Sequence, residues 1–484
     1  MKKFTKYVCV LLLILQLALI TAGCAEKDSG ETGGSTTAAG GDSAGTEAET
    51  SEYTPPENRY DGFEFRLLAR DNPWDIMEVD FDEPQAEVLY NAVYERNRAT
   101  EELLDVKITG IITTEDIYNR VRSSFNAGDN DYDLVFPAMS DGARLGREGY
   151  LRDWKSLDAI DLTKSWWDQT IYDDLSVNGK IYFMTGELNV RDNDNAWIIL
   201  FNKIMRENLN LESPYDIVTN NAWTFDKFYE MGLTAVADLN GDSRFNAEDS
   251  YGLITTTEGG KNFFYSAGLR VVDKNDEGDL EIVINSDRGQ TVVNKINDIF
   301  NTNNITFYKV SSWQQAEEMF ASDHGLFYGE IVAHIANLRN MKADFGVLPT
   351  PKFDENQEKY YTHIASNGTG LCIPDIIPNE DRTGDIIESL GFYGQKYMTP
   401  AFNEISLESK YARDEESAGM LDIIWKSVRY DIGYLFNIGG MSDITTQLIS
   451  SKKADTFISA CEKNLSKAEK DIANLMEAYN KLEA

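Results

Sequence analysis

From residue 63 onward the chain alternates short apolar runs with segments of helical spacing. Residues 63–69, FEFRLLA, read as a strand that ends in the polar turn 70–74. Residues 87–104 carry Val88, Ala92, Thr100 and Leu103/Leu104 at helical intervals. That spacing predicts a helix with Arg96, Arg98 and Glu101 toward solvent. A second strand at 106–112, a helix at 117–127 and a third strand at 133–136 complete a strand, helix, strand rhythm, which argues for an α/β unit with parallel strands. At the other end, helices are expected over 420–434, 443–450 and 452–482. The last repeats Phe457, Cys461, Leu465, Ile472 and Leu475 and is expected to pack on its own lobe rather than in a coiled coil.

Two stretches stand outside this pattern. Lys2, Lys3 and Lys6 precede an apolar run from 8 to 20, and small residues 21–23 lead into Cys24, the layout of a secretory signal occupying 1–23. The apolar run is shorter than the ~20 residues of a membrane-spanning helix. The end of the signal resembles a bacterial lipoprotein box, with Thr21 where that motif has an aliphatic residue. The resemblance implies lipidation of Cys24 and a membrane-anchored protein on the extracytoplasmic face. Residues 24–58 are Gly, Ser, Thr, Ala and Glu with almost nothing apolar and read as a flexible tether.

Acidic residues outnumber basic ones by 81 to 45, for a net charge of −36. Such a surface repels nucleic acid and anionic head groups and favours neutral or cationic ligands. With Cys9 in the signal and Cys24 committed to lipid, Cys372 and Cys461 remain, either paired or as buried thiols. His324, His334 and His363 are scattered, which argues against a zinc site.

One loop has metal-ligand spacing. Along 238–249, Asp238, Asn240, Asp242, Asn246 and Asp249 place side-chain oxygens at positions one, three, five, nine and twelve. Arg244 would add its carbonyl at position seven, as in loops that bind calcium. Ser243 stands at the position usually taken by glycine, and Asp249 replaces a longer glutamate. The expectation is one structural calcium ion and no other cofactor.

Further along, AGDNDYDLVF at 127–136, GYLRDW at 149–154 and NGKIYFMTGE at 178–187 recur in a recognisable order. WIILFNKIM at 197–205, WTFDKFYEM at 223–231, MFASDHGLFYGE at 319–330 and DFGVLPTPK at 344–352 follow. This ordered set resembles the extracellular solute-binding proteins of bacterial ABC importers, of the maltose-binding-protein-like carbohydrate class. The resemblance implies a type II periplasmic-binding-protein-like α/β fold, with lobe one at 60–192 plus 365–400, lobe two at 193–362 plus 401–484, and a ligand cleft between them. It places Asp71, Trp74, Ser140, Asp141, Asn195, Trp197, Phe264, Glu330 and Trp425 at that cleft, with Phe264 in a loop after a strand at 253–255. Sugar rings stack their C–H faces on aromatics, and their hydroxyls need polar side chains held in place. Trp166 and Trp167 are expected in the core. The implied protein is a monomer that performs no covalent chemistry and hands a sugar to permease subunits. A ligand-sensing lipoprotein with a membrane signalling partner would share these features. An envelope glycoside hydrolase would further need a carboxylate pair at a separation the sequence does not reveal.

Overall fold

Three strands near the start form the first sheet, and all run parallel. Phe63–Arg70 (β1), Val106–Thr113 (β2) and Leu134–Phe136 (β3) are ordered β2-β1-β3, with helices Val88–Leu104 and Ile117–Ala127 as the crossovers. The second helix is set by its ends. Asp116 accepts the Asn119 amide at its N-terminus, and Gly128 closes it at φ 73°, a conformation that favours glycine. This computed structural model describes residues 53–72, 78–190, 192–408 and 414–481. The signal, Cys24, most of the tether and Trp74 lie outside the described residues.

The second sheet is mixed. Trp197–Asn202 (β4), Tyr251–Ile254 (β5), Thr306–Phe307 (β8), Gly325–Ile331 (β9) and Phe345–Leu348 (β10) stand in the order β10-β4-β9-β5-β8. Val272–Lys274 (β6) and Leu280–Ile282 (β7) form a separate antiparallel pair. β4 is antiparallel to both its neighbours and buried along its whole length, which is why WIILFN is an unbroken run rather than an alternation. Ala196 bridges Ile364 where the chain crosses back, and residues 369–372 rejoin the first sheet through Ala138 to Thr369 and Val135 to Cys372. Helix Glu380–Glu408 then packs on Val88–Leu104. The chain thus leaves the first sheet once and returns once, as a two-lobed molecule requires.

Several expectations change in three dimensions. Arg96 does not face solvent but is fully buried, where its guanidinium donates to the carbonyls of Leu188 at 2.6 Å, Glu78 at 2.9 Å and Val79 at 3.1 Å. A helix of this length packed under another buries more of its circumference than a single stripe. The expected 420–434 helix is three elements. Glu415–Lys426 ends at Ser427, and Val428–Arg429 (β12) pairs in parallel with Thr362–His363 (β11) before a short helix at Ile432–Leu435. The last helix, Phe457–Lys481, reaches beyond one lobe. Phe457 fills the space left by Gly289, while Tyr479 stacks edge-on against Tyr182, centroids 4.8 Å apart, and its carbonyl accepts from Lys180. Cys372 and Cys461 are buried free thiols.

Candidate binding site

A strand-like pairing builds the wall of a cavity. Trp167 bridges Gly186, the Asp168 amide donates to the Thr185 carbonyl, and the Glu187 amide donates to the Trp166 carbonyl. Gly186 is required here, because a Cβ would lie 2.3 Å from the Trp166 carbonyl oxygen. The tight turn that follows, closed by the Asn189 amide on the Gly186 carbonyl, carries Glu187, Asn189 and Asp192 to the same place as Asp168. Across from them stand Trp425, at the end of its helix, and Val428 and Tyr430, held by the β11–β12 pair. These residues surround about 250 Å³, just below the ~300–1,000 Å³ range of small-molecule pockets.

The walls are rich in acceptors. Asp168 caps the helix Gln169–Leu175 and accepts the Tyr430 hydroxyl at 3.0 Å. Glu187 takes a short hydrogen bond from Thr399, and Asp192 accepts the Asn193 amide at 3.0 Å. Burial raises all three carboxylates above the usual range, Asp192 most, with repulsion from Asp168, Glu78 and Glu187 adding to it. The Asn189 side chain, with no exposure, donates to the Thr369 carbonyl at 3.0 Å and leaves Oδ1 without a partner. Trp425 rests on Phe402 with ring centroids 5.5 Å apart, and its Nε1 is buried without an acceptor.

Of the described residues expected at the cleft, only Trp425 lines this cavity. Ser140 and Asn195 instead bond to the segment 365–369, with Asp141 next to Ser140, while the amide of Asp71 donates to the Thr113 carbonyl. The Ser140 amide donates to the Ser366 carbonyl, the Ala365 amide to the Asn195 carbonyl, and Arg70, beside the exposed Asp71, to the Asn367 carbonyl. Asp141 sits in the first turn of the helix Met139–Arg147, its carboxyl raised by burial and by Asp116. Trp197 opens β4 and is 5% exposed. Phe264 is on the helix Glu258–Ser266 rather than in a loop, and is buried in the core. Glu330 lies on β9, where burial pushes it up to about 7. His334 lies 3.7 Å from Glu330, but burial holds it down to about 4, so the two do not form an ion pair near neutrality. Trp166 and Trp167 are both buried as expected, yet Trp167 also faces the cavity.

No family model matches the chain, and no curated protein matches it. Solved structures do. The cyclic α-maltosyl-1,6-maltose binding protein of Arthrobacter globiformis is similar at TM-score 0.56 and 14% identity, covering 86% of this chain and 100% of that one. An ABC substrate-binding protein from Listeria monocytogenes, in complex with cycloalternan, gives 0.53 at 12%, covering 87% and 100%. The maltose/maltodextrin-binding domain of Bdellovibrio bacteriovorus, bound to maltotriose, gives 0.51 at 13%, covering 86% and 100%. The chain has the fold of the ABC solute-binding proteins.

Within this solute-binding fold the acidic loop is closed on itself. Asp238 accepts the amides of Gly241 and Ser243, Asp242 that of Arg244, and the buried Asp249 those of Leu239 and Asn246. Asn240 and Asn246 accept the amides of Asp242 and Glu248. Ser243 takes the glycine-like φ of 60° at the turn. Among the described residues, no three acidic, histidine or cysteine side chains come together as metal ligands. The cavity residues that sequence reasoning passed over, Asp168, Glu187, Asn189, Asp192 and Tyr430, lie in or beside motifs already singled out. For Glu187, Asn189 and Asp192 the signal is the polar crowding of 187–195 just before the apolar run 197–201; Asp168 and Tyr430 have no such signal.

Proposed function

We propose that the chain is an extracytoplasmic receptor that binds a sugar or short oligosaccharide and delivers it to the permease of an ABC importer, without covalent chemistry. One observation carries this reading: in a solute-binding fold, a cavity of about 250 Å³ is lined by the aromatic residues Trp425 and Tyr430 together with the carboxylates of Asp168, Glu187 and Asp192. Sugar hydroxyls donate to such acceptors while the C–H face of the ring covers the aromatics. Of the proteins similar in fold, one is in complex with cycloalternan, one is bound to maltotriose and one is named for cyclic α-maltosyl-1,6-maltose, which supports a carbohydrate. Residues from the early segment and from the tail meet at the cavity, so ligand would be covered as the proposed lobes, 60–192 plus 365–400 and 193–362 plus 401–484, close around it. The closed form is what a permease would recognise. In this reading Cys24 carries the lipid that holds the receptor at the membrane, and the 238–249 loop takes calcium, supported by its ligand spacing.

Calorimetric titration with mono- and oligosaccharides is the test. Saturable binding by at least one saccharide, with no turnover of chromogenic glycosides, is expected. Failure of every saccharide to bind, or hydrolysis that Glu187→Gln removes, would overturn the reading.

A further inference from the structure

One helix stands directly behind the cavity wall. Glu380–Glu408 has glycine at 391 and 394, interior positions where glycine weakens a helix. Both are places where a side chain would strike the wall. A Cβ at Gly391 would lie 2.6 Å from Trp166 and 3.0 Å from the Trp167 ring, and one at Gly394 would lie 2.1 Å from the Glu187 carbonyl oxygen. The same side of the helix supplies two hydrogen bonds. Glu388, 7% exposed, accepts Trp167 Nε1 at 3.0 Å, and Thr399 Oγ1 donates to Glu187 Oε2. At about 3.6 residues per turn, 388, 391, 394 and 399 share one side. Trp167 and Glu187 line the cavity, whereas Glu388 and Thr399 stand behind it.

Resting on the carbohydrate-receptor reading of the cavity, we infer that Glu388 and Thr399 are positioning residues for the ligand, Glu388 through the ring of Trp167 and Thr399 through the carboxylate of Glu187. The Trp167 ring is packed edge-on against Trp154, centroids 5.3 Å apart, and Glu388 satisfies the indole N–H that packing alone would leave buried and unpaired. A ring and a carboxylate already fixed in place need not be ordered when ligand arrives, which raises affinity. Thr399 also acts on charge. Burial, the largest influence, raises the Glu187 carboxyl; the Thr399 hydrogen bond opposes that rise and Asp168 adds to it. Asp168 and Asp192 are the charged groups facing Glu187 among the described residues. The ionised carboxylate is acceptor-only and suits sugar hydroxyls as donors, so Thr399 keeps the site competent to lower pH.

The test titrates the full-length chain in detergent with the best saccharide from the calorimetric screen, from about pH 4 to about pH 8, comparing the parent with Thr399→Val, Thr399→Ser, Glu388→Leu and Glu388→Gln. Thr399→Val is expected to weaken binding at least ~fivefold and to move its acid limb to higher pH, because the ionised Glu187 loses a donor. Thr399→Ser should restore both. Glu388→Leu should weaken binding and shift the Trp167 indole N–H resonance, assigned with Trp167→Phe, while Glu388→Gln keeps an acceptor and restores affinity. Should Glu388→Leu fail to fold, the Thr399 pair decides. Parent-like binding by Thr399→Val and Glu388→Leu at every pH overturns the inference, as does weaker binding with an unmoved acid limb and an unmoved N–H signal. If the parent binds no saccharide, the carbohydrate reading falls and positioning is decided without ligand: an unmoved Trp167 signal in Glu388→Leu and an unmoved Glu187 titration in Thr399→Val overturn it, and shifts in both uphold it.

Discussion

Trp425 is the residue on which the candidate site turns. Its ring packs against Phe402 and lines the cavity, and its indole N–H is buried without an acceptor. A Trp buried on all sides costs ~3–5 kcal/mol when truncated, whereas one that borders an open cavity loses fewer contacts. Trp425→Ala is therefore expected to melt within a few degrees of the parent and to weaken saccharide binding at least ~tenfold, about 1.4 kcal/mol. Thermal melts and titration on the same preparation check this, and a variant that melts far lower yet binds normally returns the residue to the core. Arg96 shows the opposite role. It touches no cavity atom, but its guanidinium ties the carbonyls of Glu78 and Leu188 together beneath the cavity-lining turn, which fixes where Glu187 and Asn189 can stand. Lysine would not span these carbonyls, since the planar guanidinium offers five donors in a fixed fork.

At the scale of elements, the tail is organised by one buried carboxylate. Asp431 accepts the amides of Val271 at 2.7 Å, Val272 at 3.3 Å and Gly433 at 2.7 Å, so it caps its own short helix and anchors the β6 strand at once. That anchor holds Tyr430 over Asp168. Asp431→Ala leaves three amides without an acceptor and is expected to cost about 3 kcal/mol, with ligand affinity falling alongside; urea denaturation measures the first and titration the second. The acidic loop offers a second test at this scale. Both carboxylate oxygens of Asp238 and of Asp249 already accept backbone amides, so a calcium ion would have to share those oxygens through their second lone pairs. If the loop takes calcium, millimolar calcium raises the melting temperature over EGTA by mass action, and superimposable melts show it to be a self-closed turn.

For the whole molecule, pH and anchoring are the accessible properties. Burial pushes Glu330 and Glu388 each up to about 7, well above an unfolded glutamate. Between the unfolded and folded values the native state holds more protons than the unfolded one, so stability falls as pH rises through that window. The protein is expected to melt higher at about pH 5.5 than at about pH 8. Glu330→Gln should flatten that slope, and an unchanged slope would locate the dependence elsewhere. Attachment is the second property of the whole chain. Full-length protein from a bacterial host is expected in the detergent phase of a partition assay, and Cys24→Ala in the aqueous phase; equal partitioning of the two would remove lipidation from the account.

The three early strands and their parallel arrangement were legible in the sequence, because β1, β2 and β3 are short apolar runs separated by segments of helical spacing, and periodicity is a local property; their order in the sheet, β2-β1-β3, came only from the structure. The position of Trp425 beside a cavity was legible through resemblance. The break after Lys426 was not, since Val428 and Arg429 leave the helix to pair with residues 362–363, more than sixty positions earlier. Arg96 and Phe264 also went elsewhere: helical spacing gave Arg96 to solvent and the resemblance put Phe264 in a loop, whereas packing against distant segments buries Arg96, and Phe264 is buried on the helix Glu258–Ser266. The acidic cavity itself belongs wholly to the tertiary structure. Asp168, Glu187 and Asp192 are each unremarkable in an acidic chain, and they become a site only because a turn at Gly186 and a tail 240 residues away enclose them, where burial and mutual repulsion change what each carboxylate can bind.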